Sequence, residues 1–94
     1  MQPKPKIHAT RLPDSRCRLE WDLDTADLPK RSRETLRRRR ARTLLSRQRD
    51  VVEGSVLEGC AGPLTYGAAH ELRRALEFAL HRELKWALTG APSE

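Results

Sequence analysis

From Arg16 to Asp24 every second residue is apolar: Cys17, Leu19, Trp21 and Leu23 alternate with Arg16, Arg18, Glu20, Asp22 and Asp24. A helix cannot gather such positions on one side. In a strand, successive side chains point to opposite faces, so the pattern predicts a half-buried β-strand with Trp21 in the core. Upstream, the stretch from Lys6 to Leu12 contains Ile7 and Thr10 and can pair with it. The link Leu12-Pro13-Asp14-Ser15 has proline at the second position and aspartate beside it, as a type I turn favours. A β-hairpin is therefore expected over residues 7–24, behind a loose tail of residues 1–6 that carries Pro3 and Pro5.

Downstream, the periodicity changes. Asp22, Asp24 and Asp27 form a short acidic linker, Asp27 or Ser32 can cap a helix, and Pro29 is tolerated in a first turn. Between residue 32 and Leu57 there is no proline and one glycine, Gly54, so an arginine-rich helix is expected over 32–58. Ala41, Leu44, Leu45, Val52 and Val56 share a face of it, with Gln48 among them, whereas Leu36 falls on the opposite side. The first half thus has little to bury and is expected to project as a basic arm.

The string Glu58-Gly59-Cys60-Ala61-Gly62-Pro63 reads as a helix break. Thr65 is a good N-cap, with Leu64 and Ala69 placed as a hydrophobic staple, for a second helix over 65–88. Its stripe is Ala69, Leu72, Leu76, Ala79, Leu80 and Ala87, and it ends before Gly90 and Pro92, with 91–94 as a tail. The expected fold is mainly α (α+β): a short N-terminal β-hairpin or strand, then a two-helix antiparallel hairpin, in one small domain over 7–90. The chain has 94 residues, and only 37% of them are hydrophobic. That promises a thin core, and a homodimer is expected to complete it.

Charge is concentrated. Lys30, Arg31, Arg33, Arg37, Arg38, Arg39, Arg40, Arg42, Arg47 and Arg49 face one acid, Glu34, giving a net +9 in a chain whose total is +6. The remainder sums to −3, so the charge is a local feature. Nearly all of these cations are arginines, which grip phosphate or carboxylate with two parallel hydrogen bonds and stack on bases. With one acid in the window, i,i+4 pairing is scarce. Arg31, Arg33, Arg37, Arg38, Arg39, Arg40, Arg42, Arg47 and Arg49 are the candidate polyanion contacts. A second candidate group is Phe78, which projects away from the apolar stripe among Arg74, Arg82 and Lys85, with His81 close by. It could anchor a dimer or stack on a base.

The chemistry of an enzyme is not visible. His8, His70 and His81 are dispersed, Cys17 and Cys60 stand in no metal-ligand spacing, and no phosphate-cradling or nucleophile motif occurs. Glu83 lies within the apolar stripe and reads as the partner of an arginine such as Arg38 or Arg42. No catalytic residue, cofactor or metal is expected. The basic N-terminus is not followed by an apolar stretch, and no run is long enough to span a membrane, so a cytoplasmic protein with free thiols is expected. The reading that follows is a non-catalytic DNA- or RNA-binding accessory factor, of the kind a bacterium, plasmid or phage encodes. The alternative is a small inhibitor or adaptor that docks its basic helix on an acidic protein surface.

Overall fold

Two strands lie within the alternating region: β1 (Ile7–Arg11) and β2 (Cys17–Asp22), antiparallel, with Ile7 opposite Trp21 and Arg11 opposite Cys17. The computed structural model describes residues 5–24, 26 and 28–89. The expected tail at 91–94, most of that at 1–6, and the Asp27 cap lie outside the described residues. The turn between the strands closes with Ser15 N–H donating to the Leu12 carbonyl at 3.1 Å and Leu12 N–H donating to Arg16 at 2.7 Å. Ser15, with φ 67°, takes the left-handed position that a three-residue hairpin loop needs. Along β2, Cys17, Leu19 and Trp21 are buried while Arg18, Glu20 and Asp22 are exposed.

The sheet does not stop at this hairpin. Strands β3 (Val52–Gly54) and β4 (Glu58–Leu64) complete a four-stranded antiparallel sheet of order β1-β2-β4-β3. The glycines that read as a helix break serve a strand. Gly54 has φ +94°, and a Cβ there would stand 2.6 Å from Gly59 Cα. Gly59 has no room for a side chain either: a Cβ would meet the Glu53 carbonyl at 2.5 Å and the Trp21 ring at 2.6 Å. Trp21 thereby lies flat against β4 and donates Nε1–H to the Ser55 carbonyl at 3.1 Å.

Near its end β4 bulges. Leu19 pairs with Ala61 but Cys17 pairs with Leu64, one residue out of step. The extra residue, at Gly62-Pro63, turns Leu64 rather than Pro63 into the core, since a slip of one residue exchanges the faces of a strand. Leu64 is buried and Pro63 exposed.

Helix α1 (Lys30–Arg38) is short, and α2 (Tyr66–Thr89) is long. Thr65 Oγ1 accepts from Ala68 N–H at 3.2 Å, the cap its sequence position promised. α2 lays Ala69, Leu72, Leu76, Ala79, Leu80 and Leu84 against β2 and β4, and all six are buried. Leu28, Leu36, Ala41, Leu45, Val52, Val56 and Leu57 join the same cluster from the connecting segment. Each large side chain so buried stabilises the fold by about 1.5–3 kcal/mol relative to leaving it in water. A single copy of the chain closes this core.

The two-helix hairpin is therefore corrected to a four-stranded sheet covered by one long helix. The helix expected over 32–58 breaks after nine residues. Arg39 and Arg40 are extended, with ψ 124° and 132°. Val56 N–H donates to the Arg39 carbonyl at 2.8 Å, and Arg40 bridges to Ser55. Two short 3-10 turns follow, Ala41–Leu44 and Arg49–Val51, separated by Gln48 in the left-handed region at φ 57°. A straight helix would strand Leu36 opposite Ala41 and Leu45 and stack four arginines without acidic partners. Breaking at Arg39 lets Leu36, at 3% exposure, and Ala41, at 0%, reach one core. Tertiary burial outweighs helix propensity here.

Candidate nucleic-acid interface

The broken segment displays its arginines from a fixed scaffold. Arg31, Arg37, Arg38, Arg40, Arg42, Arg47 and Arg49 are exposed, and none forms an ion pair with a described carboxylate. Arg33 is half-buried, and its Nε has no hydrogen-bond partner. Instead of a projecting arm, the segment is tied down at three places. One is the pairing of Arg39 and Arg40 with Ser55 and Val56. A second is Gln48, which donates through Nε2 to the Ala68 carbonyl at 3.4 Å, at the start of α2.

The third tie is an ion pair. Arg39 Nη1 lies 3.0 Å from Glu83 Oε1. Glu83 is the one buried charged residue among the described residues, at 5% exposure. The expected partner was Arg38 or Arg42. The break in the helix turns Arg39 inward, and Arg38 and Arg42 remain at the surface. Arg39 is consequently a structural arginine inside a run of surface ones, and nothing in the sequence distinguishes it from its neighbours.

Four acids lie on the open face of the sheet. His8, Glu20, Cys60 and Glu53 form one row across the sheet, and Asp22 stands opposite Glu58. These acids are exposed on the face that α2 does not cover. Arg18 is the cation among them. Its Nη2 lies 3.5 Å from Cys60 Sγ, which holds the Arg18 guanidinium above its ordinary pKa. At the β1–β2 loop, Asp14 accepts from Arg16 Nε at 2.7 Å, which holds the Asp14 carboxyl below its ordinary range. Among the described acids of the linker region, Asp24 accepts from Ala26 N–H, and neither Glu20 nor Asp22 pairs with the arginine segment.

On α2, Phe78 is 70% exposed, as its place off the stripe predicts. Arg82 lies over its ring, 5.7 Å from the centroid, and over the Trp86 ring at 5.4 Å. Arg74 and Lys85 are also exposed. Tyr66, 49% exposed, is engaged at the other end of α2, where Arg11 Nε donates to its hydroxyl.

Cys17 and Cys60 are free thiols. Among the described residues, no group of three or more His, Cys, Asp or Glu side chains could hold a metal ion, and no helix is long and apolar enough to cross a membrane. Set against protein-family models, characterised proteins and solved structures, the chain matches none. Fold and surface together define a small α+β protein with seven exposed arginines in one connecting segment and four exposed acids on the open face of its sheet.

Proposed function

We propose that this protein is a non-catalytic nucleic-acid-binding accessory factor, working in a reducing cytoplasm, and that the segment from Arg31 to Arg49 grips phosphates. One observation carries the reading: seven arginines of this segment are exposed without a partner among the described carboxylates, although the chain has acids to offer. Guanidinium groups clustered on a folded scaffold release the counterions of a polyanion on binding, and the scaffold spares the backbone ordering that a disordered basic tail would need. Phosphate contacts of this kind position a nucleic acid without reading its bases.

The test is fluorescence anisotropy of labelled DNA and RNA across a salt series. Arg37, Arg38, Arg40 and Arg42 are changed together to alanine, and Arg39 is spared because it holds Glu83. Removing four phosphate contacts should flatten the plot of log affinity against log salt by about 3–4, near 0.9 per contact on a duplex and 0.7 on a single strand. The fold should persist, since all four are exposed. A parent protein that binds no nucleic acid even at low salt would sink this reading, and docking on an acidic protein surface would take its place.

A further inference from the structure

Phe78, Arg82 and Trp86 stand four residues apart along α2, with the Arg82 guanidinium over both rings. They form a ladder of three planar groups on the surface. Phe78 also borders a shallow recess with Pro5, Glu77 and His81. Nothing in the core uses this ladder's outer end, since Phe78 is 70% exposed.

Its placement relative to the arginine segment is the decisive point. Glu83 holds Arg39, and therefore the arginine segment, against one side of α2. Gln48 ties the same segment to α2 at Ala68, which projects at the angle of Trp86, about five turns further on, and Arg82 and Phe78 follow about 40° and 80° beyond at 100° per residue. The ladder thus begins on the side of α2 to which the arginine segment is tied. A phosphate track beside planar side chains is the chemistry that holds single strands, whose unpaired bases stack on aromatic and guanidinium planes. Bases within a duplex are closed to such contact.

A second copy of this chain has no charge match that selects it for the same patch. A two-fold axis through Phe78 would pack two antiparallel helices and set Arg82 of each copy against Arg74 of the other. Like charges would meet beside the anchor while Lys85 of each copy would face Glu71 of the other, so charge does not single out a second copy.

We propose that the Phe78–Arg82–Trp86 ladder is a base-stacking platform and that the ligand is single-stranded nucleic acid. This inference rests on the phosphate-binding role of the arginine segment. The experiment compares Phe78→Leu, which keeps apolar bulk without a π face, with Phe78→Tyr, which keeps the ring. Both are read by anisotropy with a short oligothymidylate and with a short DNA duplex, and by light scattering.

Phe78→Leu should weaken single-strand binding roughly 5- to 100-fold, the loss expected for one stacked base, and leave the duplex unchanged. Phe78→Tyr should bind like the parent. Phe78→Leu binding single strands as tightly as the parent would overturn the platform, while the arginine reading would stand if the four-arginine variant still weakened both ligands. A parent dimer that Phe78→Glu converts to a monomer would give the patch to a second copy and overturn the proposal. A parent that binds neither ligand would remove both readings together.

Discussion

The open face of the sheet and the segment from Lys30 to Val51 are both charged surfaces, and they differ in how their charges are arranged. On β2 the charged residues alternate with buried ones, so Arg18, Glu20 and Asp22 are delivered to one face by the geometry of a strand. In the arginine segment the charges are consecutive, and no regular element could send four neighbours to one side. The chain meets that problem by giving up regularity: an extended break, two 3-10 turns and a left-handed Gln48 let Leu36, Ala41 and Leu45 turn inward between arginines that turn out. The comparison teaches that net charge says little about surface potential. The protein's +6 averages over a strongly basic segment and a remainder that sums to −3.

The comparison breaks most severely through the core that both surfaces share. Leu76→Ala, at 0% exposure beneath the sheet, should cost about 3–5 kcal/mol in thermal or denaturant unfolding. Leu45→Ala, at 8% exposure and anchoring only the arginine segment, should cost nearer 2 kcal/mol. Equal losses would mean that the segment is as integral to the core as α2.

A smaller effect isolates the ion pair. Arg39→Ala leaves the buried Glu83 carboxylate uncompensated and should destabilise the fold by about 1–3 kcal/mol, whereas Arg38→Ala at the exposed neighbour should stay within about 0.5 kcal/mol. Identical melting temperatures for the two variants would show that the run is energetically uniform.

Neutralising the opposite surface sharpens the contrast further. Glu20→Gln with Glu53→Gln should raise affinity for a polyanion by less than the four-arginine variant lowers it, because these acids lie outside the arginine surface and are screened over about 10 Å at 0.1 M salt. A larger gain would place the ligand across both surfaces. The smallest expected effect is at the hairpin loop. Arg16 depresses the Asp14 pKa, so the stabilisation is present above the ordinary carboxylate pKa and fades as pH falls through the lowered value. Both groups are exposed, and in an acid titration followed by NMR the loop resonances of the parent should shift below the ordinary carboxylate range while those of Asp14→Asn should not.

Parts of the architecture were legible at once. Strict alternation around Trp21 marks β2, and the Thr65 cap with the Leu72–Leu76–Leu80 spacing marks α2, because each pattern is local and its period admits one element. The location of the arginines in one segment was legible too. Their presentation was not: the same apolar spacing from Ala41 to Val56 that projects as a helix face also serves a broken chain wrapped over a core. Glycines 59 and 62 misled for a related reason. A glycine ends a helix or lets a strand lie under an indole, and only the neighbour decides which.

The sequence by itself determined where charge is stored, which residues must leave water, and the two elements whose periodicity is unbroken. Tertiary structure decided that Gly59 lies beneath Trp21, that β3 and β4 join the sheet, and that Arg39 alone of four identical neighbours is drawn in to Glu83. Those choices turn on contacts between residues tens of positions apart, whose burial energy exceeds the few tenths of a kcal/mol by which local propensities differ.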